Sequence, residues 1–89
     1  MRSKNSKAHT AAESEHLAAV KSSACVVCDH PPPVEAHHIV QGDHFTTVAV
    51  CEDCHRGSFN GWHGRRSLWK IKKMDEMSAL NETLRRINA

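Results

Sequence analysis

Tyrosine is absent from the 89 residues, and the other large aromatic side chains amount to two Trp and two Phe. With so little aromatic bulk and 39% hydrophobic residues, the chain has a small reserve of burial. Below roughly 70 to 80 ordered residues, apolar burial alone rarely contributes more than a few kcal/mol. Long apolar runs are missing too. No stretch approaches the ~18 consecutive apolar residues of a membrane span. Met1–Thr10 is polar and lacks the apolar centre of a secretion signal. The length leaves room for one domain. The expectation is a soluble, cytoplasmic chain without membrane association, held together by something other than its core. Four Cys and eight His in so short a sequence point to metal.

The cysteines form two C-x-x-C pairs, Cys25 with Cys28 and Cys51 with Cys54, separated by the 22 residues Asp29 to Val50. Two thiolates three positions apart on a tight turn reach one ion from the same side, and a second such knuckle completes a tetrahedron. The spacing predicts a closed, structural Zn2+ site. Two disulfides are the alternative, and they require an oxidising compartment. A thioredoxin-like redox motif fits a single C-x-x-C better than two at this spacing.

Charge is unevenly spread. Residues 1–23 carry four basic and two acidic side chains, residues 24–55 none and five, and residues 56–89 eight and three, giving +2, −5 and +5. An acidic, histidine-rich centre suits cations, whereas a basic flank suits a polyanion such as a nucleic-acid backbone. Arg56, Arg65, Arg66 and Lys70 are the candidate phosphate contacts, with Trp62 as a candidate stacking or metal-covering residue. Arg85 and Arg86 read as a solvated helix face.

Residues 1–10 read as a disordered polar tail and residues 11–89 as the folded domain. Thr10 followed by Glu13 is a capping-box signal for a first helix over 11–22, with Leu17 and Val20 on its buried side. Pro31 to Pro33 forbid helix and lead into a strand over 34–40. Gly42 and Asp43 supply a turn, and Thr46 to Val50 return as a second strand. Gly57, Asn60, Gly61 and Gly64 predict a flexible loop through Trp62 and His63. One or two helical turns follow over 67–73, with Trp69 in the core. A final helix over about 75–88 has Asp75 as N-cap and a buried stripe of Met77, Leu80, Leu84 and Ile87. The fold class is a small zinc-stapled α+β domain with a two-stranded ribbon and flanking N- and C-terminal helices.

His37, His38, His55 and His63 remain. Adjacent residues on a strand face opposite ways, so His37 and His38 should do different jobs. His55 follows the second knuckle directly, and His63 lies in a loop that can fold back toward it. Neutral imidazoles binding a divalent ion, plus one left free, make a working set for metal-assisted hydrolysis. His9, His16, His30 and His44 read as surface residues, with His44 the nearest to an exception because its turn lies close to the proposed substrate.

The order C-x-x-C, His37-His38-Ile39, then Cys51-x-x-Cys54-His55, resembles the zinc-bearing HNH endonucleases of the ββα-metal, or His-Me finger, superfamily. His55-Arg56-Gly57 followed by Gly61-Trp62-His63-Gly64 is similar, more narrowly, to the recombination-enhancing Ref-type nucleases of phages and prophages. The resemblance implies an HNH core that hydrolyses phosphodiester bonds of DNA to 5′-phosphate and 3′-hydroxyl ends, in a bacterial or phage-infected cell. It implies His38 as general base and His37, His55 and His63 as ligands of a catalytic divalent ion, whether Mg2+, Mn2+, Ni2+ or Zn2+. Thr46 stands where the family has its central Asn. Its carbonyl remains available to hold the Nδ1 hydrogen of His38. A monomer acting on DNA, targeted through a recombinase filament, is the implied assembly. Two other readings stay open: a catalytically inactive zinc-stapled nucleic-acid-binding module, and a protein-interaction adaptor using the helix from Met77 to Ile87.

Overall fold

A computed structural model describes residues 9–89. Its elements are α1 (Ala11–Lys21), β1 (Glu35–His38), β2 (Thr47–Val50), α2 (Glu52–Arg56), α3 (Ser67–Ile71) and α4 (Glu76–Ile87). The expected disordered tail, 1–10, lies outside the described residues except for His9 and Thr10, and Thr10 belongs to α1 as its N-cap. Both halves of the capping box form: Glu13 N–H donates to Thr10 Oγ1 at 3.1 Å and Thr10 N–H to Glu13 Oε1 at 2.9 Å. Leu17 and Val20 are buried, as their spacing predicts.

Strands β1 and β2 form a two-stranded antiparallel sheet with Glu35 opposite Val50, Ala36 opposite Ala49, His37 opposite Val48 and His38 opposite Thr47. Strand β1 is shorter than the expected 34–40. Gly42 at φ 91° and the bond from Asp43 N–H to the Val40 carbonyl (3.0 Å) commit the chain to its turn early. All four residues of β2 are buried. Its outer edge is occupied: Ala49 N–H donates to Thr83 Oγ1 at 3.2 Å, and the Ala49 carbonyl accepts Val26 N–H at 3.0 Å.

Helix α4 lies on β2, with the expected stripe met at Leu80, Leu84 and Ile87 and missed at Met77. Met77 is 66% exposed, and the side against the sheet is Ala79, Leu80 and Thr83, with Leu84 and Ile87 packed at its margin. The cause is Thr83. Its hydroxyl donates to the Ala79 carbonyl at 2.8 Å while accepting from Ala49, so this polar residue is fully satisfied inside and draws the small residues inward. Arg86 reaches Glu82 and, at 3.1 Å, Asp29 beside the first knuckle, so it is an ion-pair residue rather than a merely solvated one.

The core gathers Val20, Val27, Val48, Val50 and Trp69 around Cys25 and Cys54. Trp69 is wholly buried and its indole N–H donates to the Cys54 carbonyl at 2.8 Å, which joins α3 to the second knuckle. No helix among the described residues is long and apolar enough to cross a membrane.

Candidate metal centres

The two knuckles meet. One sulfur from each of Cys25, Cys28, Cys51 and Cys54 lies within 4.8 Å of the others. Cys28 Sγ and Cys51 Sγ are 3.6 Å apart. That is far too long for a disulfide and close to the ~3.8 Å edge of a tetrahedron with Zn–S bonds of about 2.3 Å. Burial, and after it the neighbouring cysteines, push Cys28 up to about 11 and Cys54 higher still. Burial also disfavours the Cys25 thiolate, but backbone amides of Cys51, Cys28 and Val27 more than offset it and bring Cys25 below the usual thiol range. Such crowded thiols ionise together only with a cation among them, and the donor set fits a structural zinc. Cys51 also serves as the N-cap of α2, its Sγ accepting Cys54 N–H at 3.4 Å. The knuckle therefore fixes where α2 begins.

The second cluster hangs from the first. His55 sits in α2, its N–H bonded to the Cys51 carbonyl at 2.9 Å. His63 N–H returns to the His55 carbonyl at 3.2 Å, and His37 projects from β1. The three ring centroids are 5.0, 5.1 and 5.2 Å apart, a nearly equilateral triangle, with one ligand atom from each ring within 4.8 Å of the others. Carboxylates that sequence reasoning missed orient two of these rings. His37 Nε2 donates to Glu76 Oε2 at 2.7 Å, and His55 Nδ1 to Glu35 Oε1 at 2.7 Å. Each ring thereby spends its N–H and keeps the lone pair of the other nitrogen, the arrangement found around metal-binding histidines. Burial raises the Glu35 carboxyl, yet the His55 and Arg56 bonds hold it below the usual range. Burial also lowers His55, against the pull of Glu35, and so favours the neutral, ligating imidazole.

His38 lies outside that triangle and is half-buried, clear of the apolar core. Burial, then the closeness of the His44 and His37 rings, lowers it below the ordinary histidine range. The expected brace from Thr46 is absent. The Thr46 carbonyl accepts Ile39 N–H at 3.2 Å, because the ladder continues one step past β1, and the Thr46 hydroxyl donates to the Asp43 carbonyl at 3.0 Å. His38 instead meets His44, Nε2 to Nδ1, at 3.0 Å. His44, expected at or near the surface, is buried. His16, expected at the surface, is half-buried with its ring 5.3 Å from Phe45.

The segment between α2 and α3 is a tight coil, contrary to the flexible loop its glycines predict. Gly61 N–H bonds the Gly57 carbonyl, Trp62 N–H the Cys54 carbonyl, Arg65 N–H the Ser58 carbonyl and Ser67 N–H the Phe59 carbonyl, all between 2.9 and 3.0 Å. A Cβ on Gly61 would overlap the Gly57 backbone, so the glycine serves close approach here. The Trp62 ring lies 6.4 Å from that of His37 and 4.8 Å from that of Trp69, with the Arg66 guanidinium 3.8 Å over it.

The four candidate phosphate contacts are all exposed: Arg56 is paired with Glu35 and Glu52 and Arg66 lies over Trp62, beside Arg65 and Lys70. A shallow open depression of about 450 Å³ borders the cluster, lined by Lys21, Val34, Glu35, Ala36, His55 and Arg56. Compared with family models, curated proteins and solved structures, the chain gives no match.

Proposed function

We propose that the protein is a metal-dependent phosphodiester hydrolase acting on DNA, with an HNH-like centre. The observation that carries this reading is the convergence of His37, His55 and His63, two of them oriented by carboxylates, beside a fourth imidazole, His38, that takes no part in the triangle. Three imidazoles with further positions open suit a catalytic Mn2+, Ni2+ or Zn2+ better than Mg2+, which prefers oxygen ligands. When bound by His37, His55 and His63, such an ion would supply electrophilic stabilisation of the negative charge that develops on the phosphate and its leaving oxygen. His38, held neutral by its surroundings, takes the proton of a water in line with that bond, which leaves 5′-phosphate and 3′-hydroxyl ends. Exposed Arg65 and Lys70, and an open depression in place of an enclosed pocket, suit a polyanionic polymer.

Protein carrying zinc at the cysteine site alone, incubated with supercoiled plasmid, is expected to nick it only when Mn2+ or another divalent ion is added. A salt-sensitive mobility shift with intact plasmid across all these ions would show the inactive binding module instead. Gly61→Ala tests the coil. It is expected to release His63 and to weaken Mn2+ binding by on the order of 10- to 100-fold in calorimetric titration, while the cysteine site keeps its zinc. Unchanged Mn2+ affinity would remove His63 from the ligand set.

A further inference from the structure

The turn that joins the two strands is pinned at several points. Asp43 N–H bonds the Val40 carbonyl at 3.0 Å, Thr46 N–H bonds the Asp43 carbonyl at 3.1 Å, and the buried Thr47 hydroxyl donates to the His44 carbonyl at 3.1 Å. The backbone of His44 is therefore set by the hairpin. Its side chain is 9% exposed, with the His9 ring edge-on at 4.2 Å and the His38 ring at 5.1 Å and 82°. Among the described residues, its buried Nε2 has no partner and Nδ1 makes the ring's one hydrogen bond, 3.0 Å to His38 Nε2. An imidazole buried with one nitrogen unsatisfied costs stability that an apolar side chain of similar size would avoid. That hydrogen bond is with the ring named above as general base.

We propose that His44 is the positioning residue for His38. This rests on the nuclease reading and deepens it. A hydrogen bond between two neutral imidazoles has one donor and one acceptor, and the assignment here is that His38 donates from Nε2 and His44 accepts at Nδ1. The consequence is a fixed tautomer: His38 carries its hydrogen on Nε2 and presents the lone pair of Nδ1 to water. When that lone pair takes a proton, the His38 cation keeps its acceptor, and the ring does not swing. His44 thus supplies from a side chain the acceptor that the family resemblance assigns to the carbonyl at Thr46. His44 itself touches no reacting atom.

The test uses the full zinc-loaded protein, Mn2+ and a fluorescently labelled DNA oligonucleotide. His44→Phe keeps the ring volume and removes the acceptor, whereas His44→Asn places an amide oxygen near the Nδ1 position. His44→Phe is expected to lower kcat on the order of 10-fold, about the kinetic worth of one hydrogen bond, with KM and Mn2+ affinity unchanged. His44→Asn is expected to recover most of the loss. In the wild type, nitrogen-15 NMR of the imidazoles should show His38 as the Nε2–H tautomer, and in His44→Phe that preference should disappear. A wild-type His38 hydrogen on Nδ1, an unchanged kcat in His44→Phe, or equal losses in the Phe and Asn variants would overturn the proposal while leaving the nuclease reading in place. A wild type that cleaves nothing with any divalent ion removes that reading, and this assignment with it.

Discussion

Cys54→Ser is expected to leave the chain largely unfolded, with zinc stoichiometry per chain reduced and the cooperative thermal transition lost. Cys54 is wholly buried and its sulfur belongs to the four-thiol set. Its carbonyl accepts both the Trp69 indole and the Trp62 amide, so losing its ligand bond also loosens the α3 and coil attachments. Structural zinc contributes about 10–16 kcal/mol of apparent binding free energy in small domains, which exceeds the whole stability of a typical one. With no tyrosine and four large aromatic side chains, this protein has little to set against such a loss. A strong chelator should act on the wild type as the substitution does. Cys28→Ser, at the exposed corner of the site, should be the milder variant. Far-ultraviolet circular dichroism, alongside elemental zinc analysis, checks this. An unchanged cooperative transition after verified zinc removal would mean that the core alone suffices.

The second large effect concerns His38. His38→Ala is expected to lower the rate of plasmid nicking by ~10² to 10⁴-fold, the usual contribution of a positioned general base, with zinc content and Mn2+ affinity unchanged. His37→Ala should differ in kind, because it removes a ligand, leaves the Glu76 carboxylate without its ring partner and so abolishes Mn2+ binding together with cleavage. Measuring ion affinity and rate on both variants separates the two roles assigned to neighbouring histidines. Wild-type turnover by His38→Ala in Mn2+ would place the base elsewhere.

Local signals in the sequence read out well where the physics is local. The Thr10 and Glu13 pair, the two C-x-x-C knuckles and the return of His63 toward His55 each depend on residues a few positions apart. Other features depend on distant chain. Glu35 lies 20 residues from His55, and Glu76 lies 39 residues from His37. Nothing in the spacing of either carboxylate marks it as an orienting partner. Met77 misled for a related reason: apolar periodicity counts Met as inside and Thr as outside, whereas a satisfied hydroxyl on Thr83 decided which side of α4 faces the sheet. The glycines between α2 and α3 signalled irregular backbone correctly. Their use for close packing, in place of freedom, appears only once Gly57 and Gly61 are in contact.

The filled margin of β2 has a consequence for how the molecule meets other chains. A hairpin this small, with an open rim, would invite strand addition from its own copies, a route to fibrils. Thr83 occupies the Ala49 donor and Val26 the Ala49 acceptor on that rim. At Ala49 this rim therefore offers no backbone group to an added strand, and association along it has to use side chains.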